Sequence, residues 1–158
     1  YVALTENWNG TNWTEVGDLT APKGKMAGVG TNTAALTFGG DVPPGQGEET
    51  EIWNGSSWAE VNELNTGRRF LAGAGTTTAA LGFGGGTPAV TAKTELYNGT
   101  NWTEVGDLNT ARDQLAGGGA GSTTAALGFG GYDRWEQQKL GMELVGQLLQ
   151  MHLWQLLN

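Results

Sequence analysis

The chain has 158 residues, with 28 glycines, 7 tryptophans, no cysteine and a net charge of -8. That charge argues against nonspecific binding to nucleic acid or anionic membranes, because both need a basic surface. The lack of cysteine excludes disulfides and cysteine–zinc sites. No stretch is apolar for long enough to span a membrane, and no signal-peptide pattern is present. The alternative is a mature chain from which a signal peptide has already been removed.

One motif occurs three times along the chain. The stretches Thr5–Val16, Thr50–Val61 and Thr94–Val105 share the order Thr-Glu-x-aromatic-Asn-Gly, followed by Trp and then Glu-Val. Each is predicted to form a two-stranded hairpin, because Asn-Gly between β-prone runs tolerates the positive φ of a tight turn. A period of 45 and then 44 residues is typical of stacked units that bury a core only against their neighbours.

Stretches of small residues alternate with these hairpins, at about 25–40, 70–85 and 114–131. Each is predicted to be two short strands joined by a Gly/Thr turn. Small side chains allow the backbones of neighbouring sheets to approach closely. A small-residue pair and an Asn-Gly hairpin together give four strands per repeat, which matches one blade of a β-propeller.

The repeat also has a Gly-Gly doublet, a variable loop and an aromatic pair. The doublets are Gly39-Gly40, Gly84-Gly85 and Gly130-Gly131, and the aromatic pairs are Trp8/Trp13, Trp53/Trp58 and Tyr97/Trp102. This order resembles kelch repeats over about residues 4–131, although the aromatic residues are five apart rather than six. Its regularity is also similar to that of repeats in structural proteins of marine phages. The resemblance implies an all-β, kelch-like propeller with repeats at about 4–49, 50–93 and 94–131.

The order of strands within the blades predicts self-association. The sequence starts with the outer pair of a blade and reaches the inner pair of another blade by residue 131. Three blades cannot close a ring, and an open junction exposes unpaired strand edges. We therefore expect a strand-exchanged homodimer with six blades. The alternative is that the chain is part of a longer array.

Residues 132–158 depart from the repeat and form an apolar tail. Glu143, Gln147 and Gln150 would form one polar stripe, so a helix is predicted. A helix this apolar is expected to pack against the propeller or a second copy. The candidate oligomer contacts are Leu144, Leu148, Met151 and Trp154. A membrane-surface helix is the alternative, although the Lys/Arg face of such helices is missing.

The tail is also interpreted as a fourth repeat read out of frame. Codons permitted for residues 140–146 can encode Trp-Asn-Gly-Thr-Ser-Trp in another frame, at the place where the next aromatic pair is due. This frameshift inference concerns the gene, and its sequence would test it.

Loops supply the predicted ligand-binding residues, since binding residues favour loops held by a rigid scaffold. In kelch-like propellers such loops surround the central channel, and the variable loops 41–48 and 86–93 differ most between the copies. The candidates are Lys23, Lys25, Arg68, Arg69, Arg112 and Asp113. An ordinary solvated surface is the alternative interpretation of these charges.

No catalytic, metal-binding or cofactor-binding residues are predicted. His152 is the single histidine and lies in the tail. The repeated acids Glu6, Glu51 and Glu95 are predicted to be solvated and spread around the ring, whereas paired catalytic carboxylates must converge. The aromatic repeats are predicted to be core residues, with sugar stacking, including on Trp135, as the alternative.

The sequence therefore favours a non-catalytic structural or recognition module. The expected partners are a second copy of the chain and either a cell-surface glycan or another virion protein. A phage virion or an extracellular setting is expected from the resemblance. A glycan-binding lectin is the alternative function, and an enzyme is the third.

Overall fold

The computed structural model describes residues 1–87, 89–119, 122–133, 142–145 and 147–152. In these residues the protein is predominantly β-structure, arranged in small antiparallel sheets, with one short helix near the C-terminus. The described strands are β1 (Glu6–Trp8), β2 (Trp13–Glu15), β3 (Ala27–Gly30), β4 (Ala35–Phe38), β5 (Asp41–Val42), β6 (Gly45–Gln46), β7 (Thr50–Trp53), β8 (Trp58–Val61), β9 (Ala72–Gly75), β10 (Ala80–Phe83), β11 (Gly86–Thr87), β12 (Ala89–Val90), β13 (Thr94–Tyr97), β14 (Trp102–Val105), β15 (Ala116–Gly118) and β16 (Leu127–Phe129).

Two four-stranded sheets have the same construction. Their strand orders are β3-β4-β7-β8 and β9-β10-β13-β14, so each joins a small-residue hairpin to the Asn-Gly hairpin that follows it. The hairpins β1-β2 and β15-β16 form separate two-stranded sheets. These strands confirm the predicted four-strand repeat. The short hairpins β5-β6 and β11-β12, within the variable loops, were not predicted.

The Asn-Gly turns differ in detail from the prediction. Trp53 pairs with Trp58, so the loop between β7 and β8 has four residues rather than two. Within this four-residue loop, only Gly55 has a positive φ, of 94°. Asn54 acts through its side chain instead, because its Oδ1 accepts hydrogen bonds from two following backbone amides at 2.9 Å. The other two hairpins repeat this arrangement.

Glycine allows the sheets to pack against each other closely. Strand β9 lies between β3 and β15. A Cβ on Gly117 would collide with the backbone of Gly73, and a Cβ on Gly82 would lie 2.8 Å from the ring of Phe38. That ring also packs against Trp102, with the two centroids 4.8 Å apart. Large aromatic residues on one sheet therefore fill the space that glycines leave on the next.

The predicted aromatic core is confirmed for both aromatic residues of the third copy and for Trp53 of the second copy, whereas Trp58 is half-buried. Trp53, Tyr97 and Trp102 are at most 5 % exposed. In the first copy, Trp8 is 44 % exposed and Trp13 is 64 % exposed. The same residue types thus have different environments, according to whether another sheet lies beside them.

The repeated acids require a correction. Glu51 and Glu95 are fully buried rather than solvated. The Nζ of Lys23 lies 2.5 Å from an Oε1 of Glu51, and Nη2 of Arg68 lies 3.1 Å from Oε1 of Glu95. A buried carboxylate needs such a partner, because an unpaired buried charge costs several kcal/mol.

The tail is helical at 142–145 and 147–152, as predicted. The side chains of Leu144, Leu148 and Met151 are each at least 60 % exposed, so these residues do not pack against the sheets of their own chain. Their predicted role in contacts between copies stays a prediction, and Trp154 lies outside the described residues. Within the described residues, no helix is both long and apolar enough to cross a membrane.

Glu95→Gln should strongly destabilise the protein. The substitution leaves the buried Arg68 guanidinium without its counter-charge, which costs about 3–5 kcal/mol. Glu104→Gln is the matched control, because Glu104 pairs with Glu95 across β13 and β14 but forms only an exposed ion pair with Lys93. The control should lose about 0–1 kcal/mol. Urea unfolding measures both, and equal losses would contradict the importance of the buried pair.

Candidate functional site

Three loop residues share an unusual backbone conformation. Lys25, Phe70 and Gln114 each lie two residues before β3, β9 or β15, and their φ angles are 60°, 57° and 54°. Residues with large side chains rarely adopt this left-handed region. The amide of Phe70 donates to the carbonyl of Lys25 at 2.8 Å, and the amide of Gln114 donates to that of Phe70 at 2.9 Å. A line of backbone hydrogen bonds therefore joins the three repeats at one end of the sheets.

A carboxylate forms the centre of a polar cluster beside this line. Asp41 accepts hydrogen bonds from the Tyr1 hydroxyl at 2.7 Å, from Lys25 Nζ at 2.6 Å and from Arg69 Nη1 at 3.0 Å. The Lys25 ammonium also lies 4.9 Å from the centroid of the Phe70 ring, within cation–π range. We call these five residues the Asp41 cluster.

The pKa values in the Asp41 cluster follow from these contacts. Burial alone would raise the pKa of Asp41, but the hydrogen bonds from Lys25, Tyr1 and Arg69 outweigh it and lower the pKa to about 2. The hydrogen bond to Asp41 raises the pKa of Lys25 above its ordinary value. Asp41 is therefore a fixed negative charge at neutral pH with three donors already bound, which suits positioning of the loops rather than proton transfer.

Two cavities lie near these loops and strands. A cavity of about 240 Å³ is bordered by Asp41, Arg69, Tyr1 and the β5-β6 hairpin. A second, of about 380 Å³, lies among β3, β9 and β15. Its walls are glycine, alanine, valine and threonine, so it has no acid or base in its lining. The first cavity can offer charged and aromatic contacts, whereas the second offers mainly backbone.

A third cavity, of about 410 Å³, lies between the β1-β2 hairpin and the sheet that contains β7. We call it the aromatic cavity because Trp8, Trp13, Trp53 and Trp58 border it, together with Ala35. The indole Nε1 of Trp58 donates to Thr5 Oγ1 at 3.0 Å across this space. The cavity is large enough for apolar side chains or a small ligand.

The predicted ligand-binding residues separate into two groups. Lys25 and Arg69 are brought together on Asp41 at the loop end, as a binding role would require. Lys23 and Arg68 are buried in ion pairs. This corrects the prediction for these two residues, since a buried cation cannot meet a ligand at the surface.

The remaining two predicted residues lie in the third repeat. Asp113 is buried, at 1 % exposure, so its side chain does not face solvent either. Arg112 is half-buried, and its Nη1 donates to the carbonyl of Gly130 at 2.8 Å. Arg112 occupies the same position in its repeat as Arg68 does, as the equivalent bond from Arg68 to Gly84 shows.

Sequence reasoning missed the central place of Asp41 and the part taken by Tyr1 and Phe70. The only signal was that Asp41 follows a Gly-Gly doublet, where the other copies have Gly86 and Tyr132. Three-dimensional proximity to Lys25 and Arg69 could not be read from that difference. Trp135, the other residue considered for sugar stacking, lies outside the described residues.

No metal-binding cluster is present in the described part of the chain, where no three His, Cys, Asp or Glu side chains converge. His152 is exposed on the short helix. A comparison with protein-family models found no match, and a comparison with curated proteins found none.

Arg69→Gln should raise the pKa of Asp41 from about 2 toward 3.8, because it removes one donor and one positive charge. Because folding lowers the pKa of Asp41, its ionised carboxylate stabilises the folded protein at pH values above the unfolded pKa of 3.8. This stabilisation is lost as the pH falls from 3.8 toward 2. Lys93→Gln, which breaks a remote surface pair, is the control. NMR titration of the Asp41 carboxyl measures the shift. Titration near 3.8 in the unsubstituted protein would contradict the cluster.

Proposed function

We propose that this protein is a non-catalytic structural or recognition module, built as a kelch-like β-propeller and completed by self-association. The observation that carries the proposal is the placement of three equivalent strands, β3, β9 and β15, side by side around a glycine-lined cavity. In a propeller the first strand of each blade lines the central channel. The two four-stranded sheets would then be complete blades.

The loop end of the propeller is the proposed recognition surface. The Asp41 cluster places two cations and an aromatic ring next to each other, on a rigid backbone with left-handed residues. Such backbone outliers persist where the surrounding structure holds them, and they are concentrated at binding sites. An acidic surface of another protein would complement Lys25 and Arg69. The resemblance to phage repeats makes another virion protein the proposed partner and a virion the proposed setting.

Glycan binding is the second candidate, and one observation favours it. Trp8 and Trp13 expose much of their indole surface beside the aromatic cavity. Sugar rings stack on such faces, while neighbouring Asn7 and Asn32 could supply hydrogen bonds. The same exposure is expected where a propeller sheet has no neighbouring sheet beside it. Glycan binding and self-association would therefore use the same surface.

The 158-residue chain should be a dimer in solution, with about twice the 16.5 kDa mass of one copy. Light scattering coupled to size exclusion measures this mass over a range of concentrations. A folded monomer at every concentration would refute completion of the ring by self-association.

A glycan array then separates the two candidates. The structural module should give no binding, whereas a lectin should bind and should lose binding in a Trp13→Ala variant. Binding that depends on Trp13 would replace the structural proposal.

A further inference from the structure

We propose that strand β16 of one copy pairs with strand β1 of a second copy, in a register and with side-chain partners that the protein's own repeats specify. The inference rests on the proposed self-association and adds its atomic interface. The pairing is antiparallel, with Leu127 opposite Asn7 of the second copy and Gly128 opposite its Glu6. Two such junctions form at once in a symmetric pair, because each copy supplies one edge of each kind.

Among the residues that the structure describes, neither edge has a further strand beside it. In the complete sheets, β4 pairs with β7 and β10 pairs with β13. Their counterparts β16 and β1 each pair only with their own hairpin partner in the described part of the chain. An exposed row of backbone donors and acceptors is a template for another strand.

The register follows from the two junctions that are already formed. Leu36 lies opposite Ile52 in one sheet, and Leu81 lies opposite Leu96 in the other. Both pairs stand at the same place in the repeat as Leu127 and Asn7. Shifting the register by one residue would turn every side chain of the strand to the opposite face, so the buried side chains strongly specify it.

A buried ion pair lies at the same junction in both four-stranded sheets. Lys23 meets Glu51 and Arg68 meets Glu95, in each case joining the first half of a sheet to its second half. The equivalent residues of the third junction are Arg112, which lies in the loop before β15, and Glu6, which lies on the open edge β1.

Arg112 is already positioned for this contact. Its Nη1 donates to Gly130 at 2.8 Å, as Nη1 of Arg68 donates to Gly84 at 2.9 Å. Arg68 also donates a hydrogen bond to Glu95. The equivalent of Glu95 is Glu6, which is exposed in the single chain. A second copy would bring its Glu6 to Arg112, and the arrangement of the other two junctions would be repeated.

In the proposed dimer, the apolar side chains of β16 bind in the aromatic cavity of the second copy. Leu36 and Phe38 are fully buried, in a cluster with Ala80, Tyr97 and Trp102 of the next sheet. The equivalents of the latter three residues all border the aromatic cavity, and they are Ala35, Trp53 and Trp58.

The equivalents of Leu36 and Phe38 are Leu127 and Phe129, which are 71 % and 56 % exposed. Placing them in the aromatic cavity of a second copy would remove both large apolar side chains from water. Removing large apolar side chains from water is the dominant favourable contribution to most protein association. The cavity and its occupant are thus complementary parts of the same sequence.

A tryptophan hydrogen bond provides a further match. Trp58 donates to Thr5 at 3.0 Å, and Trp102 donates to Thr50 at 3.1 Å, so each indole reaches the preceding repeat. By the same rule, Trp13 would donate to Thr94 of the second copy. Its 64 % exposure in the single chain would then be replaced by the burial seen for Trp102.

Disulfide cross-linking tests the register directly, because the chain has no cysteine of its own. The Asn7→Cys/Leu127→Cys variant should form a covalent dimer on oxidation, since residues directly opposite across antiparallel strands have Cα atoms about 4.5–5.5 Å apart, within disulfide range. The displaced control, Thr5→Cys/Leu127→Cys, separates the Cα atoms by about 7–8 Å and should not link. Equal linking in both, or linking in the control only, would overturn the register.

Charge reversal tests the ion pair. Glu6→Arg and Arg112→Glu should each weaken dimerisation by at least about 100-fold, because they bury like charges at both junctions. The double variant should recover at least tenfold of that loss. Glu15→Arg is the matched control, since Glu15 is exposed opposite Glu6 on the same hairpin and changes the net charge equally. Loss of dimer in the control alone, or no loss in either test variant, would overturn the pair.

These results separate the interface from the assembly itself. If the unsubstituted chain is a dimer, but the cysteine variants do not link in register and the charge-reversal variants do not weaken dimerisation, this interface is overturned and self-association stands. A monomer at every concentration would refute both. Near-ultraviolet circular dichroism establishes that each variant is folded, so that a loss of dimer is a loss of contact.

Discussion

The structure depends on one kind of interaction, the buried ion pair between a base that precedes each four-stranded sheet and a glutamate on the third strand of that sheet. The contacts of Glu95 show why. One of its carboxylate oxygens pairs with the Arg68 guanidinium, and the other accepts a hydrogen bond from the amide of Asn65 at 2.7 Å. Arg68 in turn donates to the carbonyls of Gly82, Gly84 and Lys93. One buried pair thus fixes two halves of a sheet and the loop before it.

The net stability that such a pair contributes is small, since the cost of removing two charges from water offsets much of their attraction. Removing one partner, by contrast, leaves a buried charge alone. The inner strands are rich in glycine and alanine and specify register weakly by themselves. A charged pair, at the same place in both four-stranded sheets, adds a fixed contact between the two halves of each sheet. Packing of Phe38 against the glycines of the next sheet then sets the spacing between sheets.

Much of the fold could be predicted, because the hairpin motifs occur three times in the sequence. The hairpins and the four-strand unit followed from Asn-Gly turns and small-residue runs. The burial of Glu51 and Glu95 did not, because carboxylates on a strand normally indicate a solvated face and nothing local reveals a cation across the sheet. The role of Asp41 was hidden for a similar reason. Its donors, Tyr1, Lys25 and Arg69, are distant in sequence and meet only after the sheets stack.

In the proposed dimer, the open edges β1 and β16 form a sheet junction equal to the two within the chain. Amide hydrogen exchange of the unsubstituted protein, measured residue by residue, tests it most directly. Amides at 6–8 and 127–129 should be protected to the same degree as those of β7 and β10, and their protection should fall on dilution. Rapid exchange at both edges, at concentrations where β7 and β10 are protected, would contradict it.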